Sequence, residues 1–240
     1  MNKWLRRGLL GAGVVAVVAL ASIVAFLPAA AAYACPWCYG LREVAPGVYL
    51  ETGTPREARA RFLQALRTAQ ARVSIYYPER VAERTVVLAC STRACDRRLG
   101  GKGAKARAFG ATFIHISPGG WNVDILSHEL AHIELHARAG MSALMSGALP
   151  AWFDEGLAVI VSQDARYVNV DEDGNVVCKV SGDGALPETR QDWGREAGQG
   201  LRPIYAMAAC RVLAWLDRHG GASAVHALGE ALERGEAFRE

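Results

Sequence analysis

Ser127-His128-Glu129-Leu130-Ala131-His132-Ile133-Glu134-Leu135-His136 carries three histidines spaced four residues apart, with a glutamate directly after the first. Residues four apart on an α-helix are separated by about 6 Å along the axis and about 40° around it. His128 and His132 therefore project from one face and can converge on one metal ion, at the zinc–imidazole distance of about 2.0–2.1 Å. Glu129 swings toward the same cleft, where its carboxylate can accept a proton from a metal-activated water. His136 lies about 12 Å along the axis from His128 and cannot share an ion with both others. It is expected at the surface or in packing, with support of a ligand as the lesser alternative. His115 lies in the preceding apolar run, where strand alternation leaves its direction open.

A catalytic zinc takes three protein ligands and keeps one position for water. The stretch Pro150-Ala151-Trp152-Phe153-Asp154-Glu155-Gly156-Leu157-Ala158 opens a second helix just downstream and offers two carboxylates, Glu155 and Asp154. Either can face the first helix across a short loop. The metzincin pattern is excluded, because the position six residues after His132 is Arg138.

The rest of the chain reads as α+β. Thr54-Pro55-Arg56-Glu57 suggests a capping box before an amphipathic helix with Ala58, Phe62, Leu66, Ala69 and Val73 on one face. Residues 85–89 and 111–117 read as strands. The basic stretch 91–107, containing Gly100-Gly101-Lys102-Gly103, reads as an exposed connection. The HExxH helix is expected to run from about Asn122 to Ala139 and stop at Gly140. Residues 167–170 and 176–180 read as a hairpin, and the C-terminal part, from Pro203 to Arg218 and Ala222 to Arg234, as helical.

Leu9 to Leu27 holds no charged residue and follows Lys3, Arg6 and Arg7. As a helix of about 28 Å it matches a bilayer core, and the positive flank places the remainder outside the cytoplasm. Two readings fit: a retained anchor, or a signal peptide cut after Ala32-Tyr33-Ala34. The expected organisation is thus a leader or anchor over 1–34, a juxtamembrane segment over 35–53 and a folded domain over 54–240. The domain would be membrane-anchored, or secreted if the leader is cleaved. Setting aside Lys3, Arg6 and Arg7 leaves 24 basic against 24 acidic residues, which disfavours nucleic acid as a partner. Six cysteines suit disulfides outside the cytoplasm, with Cys90/Cys95 and Cys178/Cys210 as candidate pairs. Cys35-Pro36-Trp37-Cys38 has redox-motif spacing, but no βαβ unit follows it, so a structural disulfide is the expected reading.

HELAH followed by WFDEGLA resembles the gluzincin zinc metallopeptidases, and more closely the peptidase-MA-like group of extracytoplasmic proteins, over about residues 110–235. The resemblance implies a zincin-like α+β fold with a small sheet whose edge strand lies next to the HExxH helix; 111–117 is the strand expected there. It implies Zn2+ held by His128, His132 and Glu155, Glu129 as general base, and a peptide or protein substrate. Tyr205, in Ile204-Tyr205-Ala206-Met207, matches the tyrosine-bearing helix and would donate a hydrogen bond to the oxyanion; packing in the core is its other reading. Thermolysin-like relatives carry an aspartate four residues after the ligand glutamate, where this chain has Val159, so Asp154 is a candidate for orienting a histidine. Two other functions fit the sequence: an inactive zincin-fold domain binding a cell-envelope partner, and a thiol–disulfide oxidoreductase using Cys35 and Cys38.

Overall fold

Alternation of side chains along short apolar strands builds a sheet with two buried faces. In the computed structural model, which describes residues 27–79, 82 and 85–240, five strands pair in the order β1-β2-β3-β5-β4. These are β1 (Leu41–Ala45), β2 (Val48–Glu51), β3 (Val86–Ala89), β4 (Ala106–Phe109) and β5 (Phe113–Ile116). The inner strands β2, β3 and β5 run parallel; β1 and β4 form antiparallel edges. Val48, Leu50, Val87, Ala89, Ile114 and Ile116 share the main core with α2 (Arg56–Tyr76) and α4 (Val123–Ser146). Their neighbours Leu41, Leu88 and Phe113 point the other way, into a smaller core with α1 (Pro28–Ala34) and α3 (Arg93–Arg98). That period of two is what a strand buried on both sides requires.

The rest of the main core is helical. α5 (Ala151–Ser162) packs between α4 and α7 (Ile204–His219), and α8 (Ala222–Glu233) packs on α4. α5 and α7 touch at Gly156, where an added Cβ would stand 2.5 Å from the Ala208 carbonyl oxygen. Between them in sequence lie the hairpin β6 (Val168–Val170) and β7 (Val176–Cys178) and the polar helix α6 (Arg190–Gln199). Disulfides join Cys35 to Cys38, Cys90 to Cys95, and Cys178 on the hairpin to Cys210 on α7. Three such bridges fit an oxidising, extracytoplasmic compartment.

Several expectations are corrected. The strand at 111–117 is not the sheet edge: β5 lies between β3 and β4, and the edge is β4, whose Arg107 pairs with His115. The stretch 91–107 is not a bare connection, since it forms α3 and enters β4. Residues 35–53, read as juxtamembrane, supply β1 and β2, and α1 from the expected leader covers the sheet. The Thr54 hydroxyl does not cap α2; it donates to the Glu51 carbonyl, 2.7 Å away. Gly140 adopts φ 77° and breaks the helical path of α4, but helix resumes and runs to Ser146. The apolar run Leu9–Leu27 lies, except for Leu27, outside the described residues. Among the described residues no helix is long and apolar enough to cross a membrane.

Candidate metal centre

α4 begins where the Asn122 side chain accepts the Ile125 backbone N–H at 3.0 Å, satisfying one of the free donors of a helix start. Its second turn presents His128 and its third His132, with ring nitrogens Nε2 3.1 Å apart. Glu155, in the first half of α5, brings Oε2 to 3.4 Å from His128 Nε2 and 3.8 Å from His132 Nε2. A point in the plane of that triangle lies about 2.0 Å from all three atoms, the length of a metal–imidazole bond. The spacing of the three donor atoms therefore fits a small divalent cation. The side chains of His128 and Glu155 keep 15% and 23% of their surface, so the group is not sealed from solvent.

The neighbouring residue on α5 does a different job. Asp154 is turned about 100° around the helix from Glu155 and meets the other edge of the histidine ladder. Its Oδ1 lies 2.7 Å from His132 Nδ1 and its Oδ2 2.9 Å from His136 Nε2. A carboxylate on Nδ1 fixes the His132 tautomer that leaves Nε2 free to bind an ion. Arg190, from the start of α6, donates to Asp154 Oδ2 and stands equally close, 2.9 Å, to His136 Nε2. His136 Nδ1 donates to the Gly110 carbonyl in the turn between β4 and β5. His132, His136 and Asp154 also bring ligand atoms within range of one another. The Arg190 guanidinium already occupies that corner with positive charge, which makes it a hydrogen-bonded support and not an ion site.

The electrostatics follow from this layout. Burial disfavours a charged Asp154, but the rings of His132 and His136 and their hydrogen bonds outweigh it and hold the carboxyl well below its usual range. Burial likewise disfavours a charged His132, yet Asp154, then Glu155 and Glu129, push its pKa up to about 10. Burial raises the Glu129 carboxyl; His128, His132 and the backbone N–H of Ala108 on β4 pull in the opposite direction. A carboxylate with raised proton affinity beside the candidate ion position can accept and return a proton. Burial, with the charge of Glu155, also raises the Tyr205 phenol and keeps it a donor. Tyr205 stacks on Tyr167 at 5.0 Å and meets Trp193 edge-on at 5.1 Å, so it packs while lying near enough to Glu155 to feel its charge.

Of the residues singled out in the sequence, His128, His132, Glu155 and Glu129 meet in one place, and Asp154 orients His132. His136 is corrected: it is 2% exposed and binds Asp154, so it is neither a surface residue nor an inert packing one. His115 turns away from the cleft, with Nε2 3.2 Å from Asp96 Oδ1 on the opposite sheet face. Arg190 and Asp164 were not legible. Asp164 is buried after α5, is held by Arg166, and lies close enough to His128 to feel its charge. Repetition of histidine at the fourth position was a signal that His136 shares a face with His132; nothing local marked Arg190. Compared with family models, curated proteins and solved structures, the chain matches none, so the reading of this centre rests on its geometry.

Proposed function

We propose that the chain is a zinc-dependent peptidase of zincin-like fold that works outside the cytoplasm, attached to a membrane through its N-terminal apolar run. The observation that carries this reading is the triangle of His128, His132 and Glu155 with buried Glu129 against the antiparallel edge strand. Two imidazoles and one carboxylate suit zinc better than magnesium or calcium, which prefer oxygen ligands throughout. Bound there, zinc would supply Lewis acidity and a lowered pKa for a water.

The residues of the chain would perform the remaining steps. Glu129 takes a proton from the attacking water and passes it to the leaving amine, a function its raised pKa supports. Tyr205 donates a hydrogen bond to the carbonyl oxygen as negative charge develops on it. β4, beyond which no strand pairs among the described residues, aligns an extended substrate by strand addition, and its Ala108 N–H bonds Glu129. Asp154, His136 and Arg190 keep His132 in register throughout.

Metal analysis of the purified full chain should find one zinc per molecule, lost in His128→Ala. Glu129→Gln should retain the metal while peptide cleavage falls by about a hundredfold or more. Undiminished cleavage by Glu129→Gln overturns the assignment of the base. A chain that binds zinc but cleaves nothing overturns the peptidase reading and leaves a binding domain.

A further inference from the structure

The sheet face turned away from α4 is where the folded chain meets its N-terminal apolar run. Leu27 ends that run, and α1 begins at the next residue, Pro28. α1 is not a tether. Ala29 and Ala32 are 4% and 0% exposed in the core that holds Leu41, Leu88 and Phe113, and Tyr33 stacks on Phe113 with centroids 5.0 Å apart. Cutting after Ala34 would strip this helix and uncover the apolar residues beneath it.

A run of cations lies on α3 and the segment after it. Arg93, Arg97, Arg98, Lys102, Lys105 and Arg107 are all exposed, and the one acid among them in sequence, Asp96, is buried. The fold brings the middle of this run against the N-terminal stretch. Gly100 approaches Pro28 so closely that a Cβ would lie 2.8 Å from its ring, and Arg98 donates to the Tyr39 carbonyl. On the same N-terminal stretch Leu27, Tyr33 and Trp37 are 56%, 39% and 73% exposed. Exposed aromatic and aliphatic side chains beside a cluster of cations are the pattern of a membrane interface.

We propose that α1, the Pro36–Tyr39 turn, α3 and the loop after it lie on the headgroups of an anionic bilayer. The inference rests on Leu9–Leu27 spanning that bilayer and is independent of the chemistry at the metal centre. Distance decides in its favour. With no residue between the run and α1, the face starts one residue step, at most about 3.6 Å, from the end of the span. Surface charge is felt over about 8 Å at physiological ionic strength. The α4 ligands lie on the other side of the sheet, so the cleft is held away from the lipid instead of swinging on a tether.

The test compares hydrogen exchange of the full chain in phosphatidylcholine nanodiscs with and without phosphatidylglycerol. Amides of residues 97–105 should exchange at least about fivefold more slowly with the anionic lipid, the factor expected from a single cation near such a surface. The variant R93E/R97E/K102E, whose changes are all at exposed positions, should lose the difference while keeping its circular dichroism. Equal exchange in both lipids overturns the proposal. So does protection that follows protein concentration and ignores lipid charge, because a second copy then covers the face. Intact mass and alkaline extraction separate the premise: the 25.8 kDa chain should be recovered whole in the membrane fraction. A chain shortened at Ala34 overturns the span, and with it the proposal, without touching the metal assays.

Discussion

Asp154→Asn removes one charge and preserves shape, which makes it the sharpest probe of the centre. The carboxylate is 3% exposed and faces three groups, His132 Nδ1 at 2.7 Å, His136 Nε2 at 2.9 Å and Arg190 at 2.9 Å. An asparagine amide has one oxygen for these partners. With that oxygen toward His132, its NH2 group confronts the Arg190 guanidinium and the edge of His136. Turned over, the NH2 donates to His132 Nδ1, the proton moves to Nε2, and the nitrogen that should bind the ion is blocked. Both orientations misplace a donor in a buried site. Losing such a support of a metal-bound histidine costs about 10–100-fold in metal affinity, or about 1.4–2.8 kcal/mol. Competition with a chelator of known affinity reads this directly, and His128→Ala should weaken binding much further. Affinity within twofold of the parent would refute the support role. Abolished binding in Asp154→Asn together with intact binding in His128→Ala would move the ion to the His132/His136/Asp154 set.

Other outcomes follow from the same structure. Gly156→Ala gains about 1 kcal/mol of helix propensity but drives a methyl into the Ala208 backbone, which overpacking at about 1–3 kcal/mol outweighs. Thermal unfolding should therefore shift down by several degrees, and an unchanged midpoint would show that α5 and α7 can part freely. Replacing both Cys178 and Cys210 with alanine should cost about 3–4 kcal/mol under oxidising conditions, given a loop of their 32-residue separation. No loss in denaturant titration would deny that the bridge restrains the unfolded chain. Glu51 is opposed by burial, but hydrogen bonds from the side chains and backbone of Ser91 and Thr92 hold its carboxyl below its usual value. With the folded pKa the lower one, its stabilisation is present above about pH 4.3 and fades as pH falls through the folded value. Glu51→Gln should flatten the acid limb of the melting curve against pH; parallel loss in both proteins would refute the linkage.

What could be seen in the sequence was what depends on one helix at a time. The four-residue repeat aligned His128 with His132, and the two carboxylates opening the next helix supplied Glu155 and Asp154. Contacts between distant segments were hidden. β4 reads Ala-Arg-Ala-Phe inside a basic stretch, and only its pairing with β5 makes it a strand. β1 carries exposed Arg42 and Glu43 because it is an edge, so its pattern resembled a loop. α6 buries only Trp193, which leaves no apolar stripe to announce the helix that delivers Arg190. His136 illustrates the limit: its spacing was plain, yet its partners Asp154, Gly110 and Arg190 come from three other places in the chain.

The bridge between Cys178 and Cys210 closes a covalent ring around α6, and inside that ring lie Arg190, Trp193 and Tyr205. Every side chain that α6 and the start of α7 lend to the centre is thus enclosed by one reducible bond. With that bond reduced, the ring opens and this wall is held by packing and by the hydrogen bonds of Arg190 to Asp154.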